Sequence, residues 1–202
     1  MRLDDVLLFS LRELAARFPR KALEKMLADF SCSRDKSIES FIRNEALEFL
    51  EELYGTTYVF LDRDSWMWGR LRVMGIFTLA IAATDFSGLS KSQMKKVFGH
   101  KRRGKAGPHR GAWLLGQFAR ADGVSAQTLS GKEMYYCVLD VLRGLREASS
   151  GRVLVLECAP ELVPVYQSYD FKVLPPPPDA SPRHLVTMYA IPEPKRSPLY
   201  AA

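Results

Sequence analysis

The chain has 202 residues, 47% of them apolar and 26% charged, which suits one packed domain that buries its own core without disulfide or metal staples. Cys32, Cys137 and Cys158 make no even disulfide framework and read as buried thiols of a reducing compartment, while His100, His109 and His184 are too scattered for a metal site. The net charge is +6, no stretch approaches the roughly 20 apolar residues of a membrane helix, and the start MRLDDVLLFSLREL, with Asp4 and Asp5, does not read as a secretory leader, so a cytoplasmic protein without membrane contact is expected.

Leu7, Leu8, Leu11, Leu14, Ala15 and Phe18 have the spacing of a short amphipathic helix stopped near Pro19, so residues 1–20 read as an N-terminal helical extension. Ala22 to Cys32 fits helix or strand. From Asp35 the pattern is clearer: Ile38, Phe41, Ile42, Ala46, Phe49, Leu50 and Leu53 recur at helical spacing, and Gly55 ends the run. Thr56–Leu61 is β-branched and aromatic and predicts a strand. Asp62–Arg70 reads as a hairpin connection; Trp66 and Trp68 within it either pack or face a partner. Leu71–Thr84 is almost continuously apolar, as in a strand buried on both faces.

The segment Lys91–Arg110 follows, with Lys91, Lys95, Lys96, Lys101, Arg102, Arg103, Lys105 and Arg110 and no acid among them. It predicts a basic loop, either solvated or meeting a polyanion such as nucleic acid or the phosphates of a cofactor. Trp113–Arg120 predicts another strand. After the polar stretch Asp122–Gly131 a second clear helix carries Met134, Tyr135, Val138, Leu139, Leu142 and Leu145 on one face. Gly151 breaks it, Val153–Leu156 predicts a short buried strand, and Pro160 opens a third helix that runs to about Tyr169. Phe171–Leu174 and Leu185–Ala190 close the chain as two strands, and the Pro-rich stretch 193–202 reads as a loose tail.

Strand, helix and strand over 113–158 imply a parallel pair joined by a crossover, with the other strands antiparallel. The expected class is α+β: a mixed, mostly antiparallel central sheet with one parallel pair and helices on both faces, in a single domain over 1–202. A strand that feeds a helix through a loop presents backbone N–H groups at the helix start, where Leu129, Ser130, Gly131, Lys132 and Glu133 would cradle a phosphate. An ordinary helix start is the alternative.

The order of elements resembles the GNAT acyltransferases. Four stretches carry the resemblance: DFSCSRDKSIESFIRNEALEF with TTYVFLDRD, then VMGIFTLAIAA, then LLGQFARAD with GKEMYYCVLDVL, and VLVLECAPELVPVYQSYDF. The last is the most specific, since Tyr166 and Phe171 fall at the family's spacing. The resemblance departs at the loop, where Ala126–Gly131 keeps only the final glycine of the family pattern, and at Asp170, where the family has glycine. It implies a bulged cleft at the parallel pair, acetyl-CoA as cosubstrate, and a free N–H of Phe118, Ala119 or Arg120 that polarises the thioester carbonyl. It also implies Tyr166 as the acid that protonates the departing thiol. For the base, Glu157 at the end of its strand, Asp122 and solvent all stay open; Glu157 as a cap or ion-pair partner is the plainer alternative.

The activity so implied is acetyl transfer to a primary amine, carried by a small molecule or a protein. TTYVF, GIFTLA and LLGQFARA also resemble the GNAT toxins, which implies an aminoacyl-tRNA acceptor met through Lys91–Arg110, and a second copy of the chain is a further expected partner. The degenerate loop leaves a third alternative, a binding module of the same fold that has lost acetyl-CoA.

Overall fold

A computed structural model describes residues 5–99, 107–148, 151–177 and 184–192 of the chain. Seven strands form one sheet in the order β1-β2-β3-β4-β5-β7-β6. They are β1 (Val6–Ser10), β2 (Gly55–Asp62), β3 (Val73–Asp85), β4 (His109–Arg120), β5 (Leu154–Cys158), β6 (Lys172–Val173) and β7 (Val186–Ala190). The β4–β5 pair is parallel, with Trp113 opposite Leu154 and Leu114 opposite Val155. Antiparallel registers join β1 to β2, β2 to β3, β5 to β7 and β6 to β7. The mixed α+β sheet with one parallel pair is thus as expected. The described residues fall into two compact units: 5–80 with 116–138, and 81–115 with 139–192.

The first unit begins differently from its sequence pattern. In place of one helix from Leu7, Val6–Ser10 is strand β1, with Leu7 opposite Leu61 and Phe9 opposite Val59. Helix α1 (Leu11–Ala15) starts only after Ser10, whose N–H and hydroxyl both donate to Glu13 while the Glu13 N–H donates back to the Ser10 hydroxyl. This capping box fixes the boundary, which apolar spacing alone does not. The ambiguous stretch becomes helix α2 (Arg20–Ala28), and the long helical pattern becomes α3 (Lys36–Asn44) and α4 (Ala46–Glu51), broken at Glu45. Leu53 takes the left-handed turn after α4, at φ 61°. Gly55 is needed for a different reason: a side chain there would meet the Phe49 ring and the Leu79 carbonyl.

Asp62–Arg70 contains a short helix, α5 (Arg63–Met67), because the Asp62 carboxylate accepts the Ser65 N–H at 3.1 Å and binds Arg72 at 2.9 Å. Trp66 stacks on Phe9 at 4.9 Å and meets Phe18 edge-on at 5.7 Å, whereas Trp68 is 83% exposed. Leu11, Leu14, Leu27, Ile42, Phe60 and Phe77 fill the core of this unit. Its buried polar groups are paired: Thr57 shares a 2.9 Å hydrogen bond with Thr78, and Glu39 accepts the Cys32 N–H.

In the second unit β3 is buried only as far as Leu79 in the first; beyond it Ile81 is exposed. The segment expected as a basic loop is helical from Lys91 to Phe98 (α6), again started by a capping box, here between Ser90 and Gln93. Val97 is buried, and Met94 and Phe98 pack with it against Phe86, Leu89, Val155, Leu174 and Tyr189. Helix α7 (Gly131–Ala148) contributes residues to both units. After β5 a turn of 3-10 helix (Pro160–Leu162) leads into α8 (Val163–Gln167). Lys101, Arg102, Arg103 and Lys105, and the tail 193–202, lie outside the described residues. Among the described residues no helix is long and apolar enough to cross a membrane, no group of acids, histidines and cysteines could hold a metal, and the three cysteines are buried outside any disulfide.

Candidate active site

The sequence-predicted residues at the anion end belong to the first unit. Gly75 lets β3, β4 and α7 close on one another: a side chain there would touch Ala119 O, Leu129 and Met134. The Arg120 guanidinium donates to the Leu129 carbonyl at 2.9 Å, and Arg34 donates to the Arg120 carbonyl at 3.1 Å, so both ends of the loop after β4 are tied. Asp122 is part of the same tying. Its carboxylate accepts the Ser33 N–H at 2.8 Å and the Ser33 hydroxyl at 2.9 Å, and the Ser33 amide chiefly holds it below the usual carboxylate range. That anchoring role accounts for its position just past β4.

At the start of α7 three of the five expected amides are already engaged. The Leu129 N–H donates to Ser125 O, the Ser130 N–H to the Glu133 carboxylate at 2.7 Å, and the Glu133 N–H to the Ser130 hydroxyl at 3.1 Å. The amides of Gly131 and Lys132, in the first helical turn, have no acceptor among the described residues and remain able to receive an anion. The Glu133 carboxylate lies where the positive end of the helix dipole favours negative charge. An incoming phosphate would compete with it. This capping box, Ser130-x-x-Glu133, was legible in the sequence and is a signal that the reading of Gly131 and Lys132 passes over.

Tyr166 stands in the second unit, in α8. Its ring meets Phe171 edge-on at 5.8 Å and Tyr169 at 6.2 Å. The turn that sets this geometry closes through the Phe171 N–H, which donates to the Tyr166 carbonyl at 3.1 Å, with Asp170 left-handed at φ 66° and Phe171 buried. Asp tolerates that conformation, so the substitution for glycine leaves the turn intact. Burial, then the neighbouring Cys158 and Tyr169, push the Tyr166 hydroxyl up to about 12, and the group keeps its proton across the physiological range.

Strand β5 then separates two environments. Cys158 is buried, its thiol donating to the Met188 sulfur at 3.8 Å, and its electrostatic coupling to Tyr166 marks the side of the strand that the tyrosine occupies. Glu157, the preceding residue, points the other way, as alternation along a strand requires. It is exposed, accepts the Thr187 hydroxyl at 3.3 Å, and lines a cavity of about 740 Å³. Asp85, His109, Leu114, Val155, Leu174 and Leu185 line the same cavity, which no sequence signal had located.

On α6 the side chains of Lys91, Lys95 and Lys96 are exposed and make no ion pair among the described residues. Arg110 instead stays close to its own loop, donating to the Gly107 and His109 carbonyls with its guanidinium over the Phe98 ring.

No protein-family model matches the chain, and no curated protein sequence does. Solved structures do. A Tyr-to-Phe variant of KacT aligns over 91% of this chain and 94% of its own, at 16% identity and TM-score 0.65. AtaTR with acetyl-CoA bound aligns over 91% and 93%, at 17% identity and TM-score 0.64. AtaT in complex with acetyl-methionyl-tRNAfMet aligns over 91% and 94%, at 16% identity and TM-score 0.65. The fold is the GNAT fold that the sequence resemblance implied. Within a GNAT fold, the short parallel register at Trp113 and Leu114 marks the pair of strands that the sequence resemblance singled out, and α7 is its crossover helix.

Proposed function

We propose that this GNAT-fold chain transfers an acetyl group from acetyl-CoA to a primary amine. The observation that carries the proposal is Tyr166, held by a closed turn at the family's spacing. Acetyl-CoA, when bound, supplies an activated acetyl thioester. The amides of Gly131 and Lys132 hold its pyrophosphate, and Glu133 yields its place on the helix. A backbone N–H among Phe118, Ala119 and Arg120 polarises the acetyl carbonyl. Solvent takes a proton from the amine, whose nitrogen forms the new bond to the acetyl carbon, because Glu157 and Tyr166 lie on opposite sides of β5. As the carbon–sulfur bond breaks, Tyr166 gives its proton to the sulfur. A proton from solvent restores the phenol, and the products are the amide and coenzyme A. The acetyl-CoA bound to AtaTR and the tyrosine replaced in KacT support this reading by analogy of fold. The three thiols suit a cytoplasmic setting.

A finer reading takes the amine from an aminoacyl-tRNA. It is favoured by the exposed Lys91, Lys95 and Lys96 of α6 and by the acetyl-methionyl-tRNAfMet held by AtaT. One specific feature favours the opposite reading, a module that no longer uses acetyl-CoA: the Glu133 carboxylate on the α7 amides. A thermal shift with acetyl-CoA decides between them, because saturating ligand stabilises by RT ln(1 + [L]/Kd). A shift with acetyl-CoA and coenzyme A, followed by acetylation of an amine that Tyr166→Phe abolishes, is expected. Absence of any shift at millimolar acetyl-CoA would leave only the binding module.

A further inference from the structure

The loop between α2 and α3 is fixed from behind before it meets any other part of the first unit. The Phe30 carbonyl accepts Nε of Arg43 at 2.8 Å, and the Cys32 carbonyl accepts the Asp35 N–H at 3.2 Å. The Cys32 N–H donates at 2.7 Å to the buried Glu39 carboxylate, which Lys36 and Arg43 pair with at 3.1 and 3.3 Å. Helix α3 in turn opens on Asp35, whose carboxylate accepts the Ser37 and Ile38 N–H groups. Residues 31–34 are therefore presented by α3 as a set, with their remaining polar groups facing the end of β4.

There they make four hydrogen bonds to residues 120–122. The Asp122 N–H donates to the Ser31 carbonyl at 2.8 Å, the Asp122 carboxylate accepts the Ser33 N–H at 2.8 Å and the Ser33 hydroxyl at 2.9 Å, and Arg34 donates to the Arg120 carbonyl at 3.1 Å. Two donors on one carboxylate fix direction as well as distance. Ser33 and Arg34 are exposed, so the apolar core closes without them. What the bonds do hold is the exit of β4, whose Ala121 N–H donates to the Met74 carbonyl at 2.9 Å. From that exit the Arg120 guanidinium reaches the carbonyl of the fully buried Leu129 at 2.9 Å, two residues before Gly131. A displaced β4 end would carry Leu129 with it, and hence the start of α7.

We propose that Asp122 is a positioning residue: with Ser33 and Arg34 it clasps the end of β4 and so holds the Gly131 and Lys132 amides in place for an anion, and it takes no part in proton transfer. The inference rests on the acetyltransferase reading for the identity of that anion, the pyrophosphate of coenzyme A, but not for the clasp. A base at Asp122 would behave in the opposite way, since its loss would lower turnover and leave coenzyme A affinity untouched.

Calorimetric titration with coenzyme A and amide hydrogen exchange on the free full chain test the two ends of the clasp. Asp122→Ala should weaken coenzyme A about tenfold or more. In the same variant the Leu129, Ser130 and Glu133 amides should lose protection about tenfold, while the Val59 and Phe60 amides of β2 keep theirs, because the opening is local. Ser33→Ala, which loses the hydroxyl bond and keeps the N–H, should weaken coenzyme A about two- to fivefold, and Ser33→Thr should restore it. Adding Ser33→Ala to Asp122→Ala should change nothing further. If Asp122→Ala does not fold, the two Ser33 variants carry the same comparison. Wild-type coenzyme A affinity in folded Asp122→Ala, unaltered protection at Leu129 to Glu133, or equal loss of protection at Val59 and Phe60 overturns the inference; the last would make Asp122 a general stabiliser. A wild-type chain that binds no coenzyme A overturns the acetyltransferase reading instead, and the exchange measurements then decide the clasp by themselves.

Discussion

At the start of α7, in the first unit, a carboxylate already rests on the helix amides that a pyrophosphate would need, and it does so through an ordinary capping box of Ser130 and Glu133. At the turn after α8, in the second unit, a phenol is packed between Tyr169 and Phe171 and raised by burial to about 12. The first arrangement stabilises the free protein and works against an anionic ligand; the second costs desolvation and keeps the phenol protonated. The departure from the GNAT loop pattern and the agreement at the tyrosine turn therefore lie in different units of one chain. On the proposed function, the first bears on how tightly a cosubstrate is held and the second on whether turnover occurs.

The largest effect should come from the tyrosine. Tyr166→Phe removes only the hydroxyl, so acetyl-CoA should still produce its thermal shift while the turnover rate falls about 10²–10⁴-fold. Tyr169→Phe should stay within a few-fold of wild type on the same assay. Equal turnover of Tyr166→Phe and wild type, with the cosubstrate bound, would falsify the acid assignment and erase the contrast between the two regions.

Next in size is the basic helix. Replacing Lys91, Lys95 and Lys96 together with Gln should weaken tRNA binding about tenfold or more at low salt, and should flatten the plot of log K against log salt by about two to three. Filter binding over a range of salt measures both. A slope unchanged by the triple substitution would mean that α6 is only a solvated face, and the tRNA reading would lose its support in the second unit.

Much of this architecture was legible in the residues, and the misses share a cause. The β2, β3, β4 and β7 strands and α7 carry strong apolar or β-branched patterns, and a pattern of that kind reports burial directly. Tyr166 and Phe171 were singled out by the spacing of the family the chain resembles, and Asp170 was admitted to the turn by its tolerance of positive φ, which it adopts. The errors at β1, α5 and α6 all concern boundaries set by side-chain caps, Ser10 with Glu13, Asp62 with Ser65, and Ser90 with Gln93, where one hydrogen-bonded pair outweighs several apolar positions. The same kind of pair, Ser130 with Glu133, hid the closed state of the anion end. The cavity beside Glu157 was illegible for another reason. Its lining comes from β3, β4, β5, the proline strap and β7, which no local pattern brings together.

A smaller effect sharpens the account of the anion end. Glu133→Gln keeps a capping partner for Ser130 but removes the charge from the helix start. Acetyl-CoA affinity should rise about two- to fivefold, the size of one charge at a helix terminus, with little change in the melting temperature of the free protein. Weaker binding in this variant would show that Glu133 helps to hold the cosubstrate, and the two regions would no longer differ in kind.

The smallest effect below pH 10 is expected from the titration of Tyr166, and its absence there is informative. The unfolded chain ionises this tyrosine near its ordinary value of 10, whereas the folded chain holds the proton to about 12. Below pH 10 both states are protonated, and the group contributes no pH dependence. Between 10 and 12 the unfolded state loses the proton first, so stability falls as pH rises. Tyr58 and Tyr189, also raised by burial, add the same trend, but they are common to wild type and Tyr166→Phe. The difference in melting temperature between the two proteins should therefore be constant from pH 7 to about 9.5 and should shift in favour of the variant above pH 10. Turnover should likewise show no loss from this acid until well past pH 10. A difference that stays flat to pH 11.5 would mean that Tyr166 titrates normally. The phenol would then be an ordinary surface group, no more specialised for proton donation than the capped end of α7 is for binding an anion.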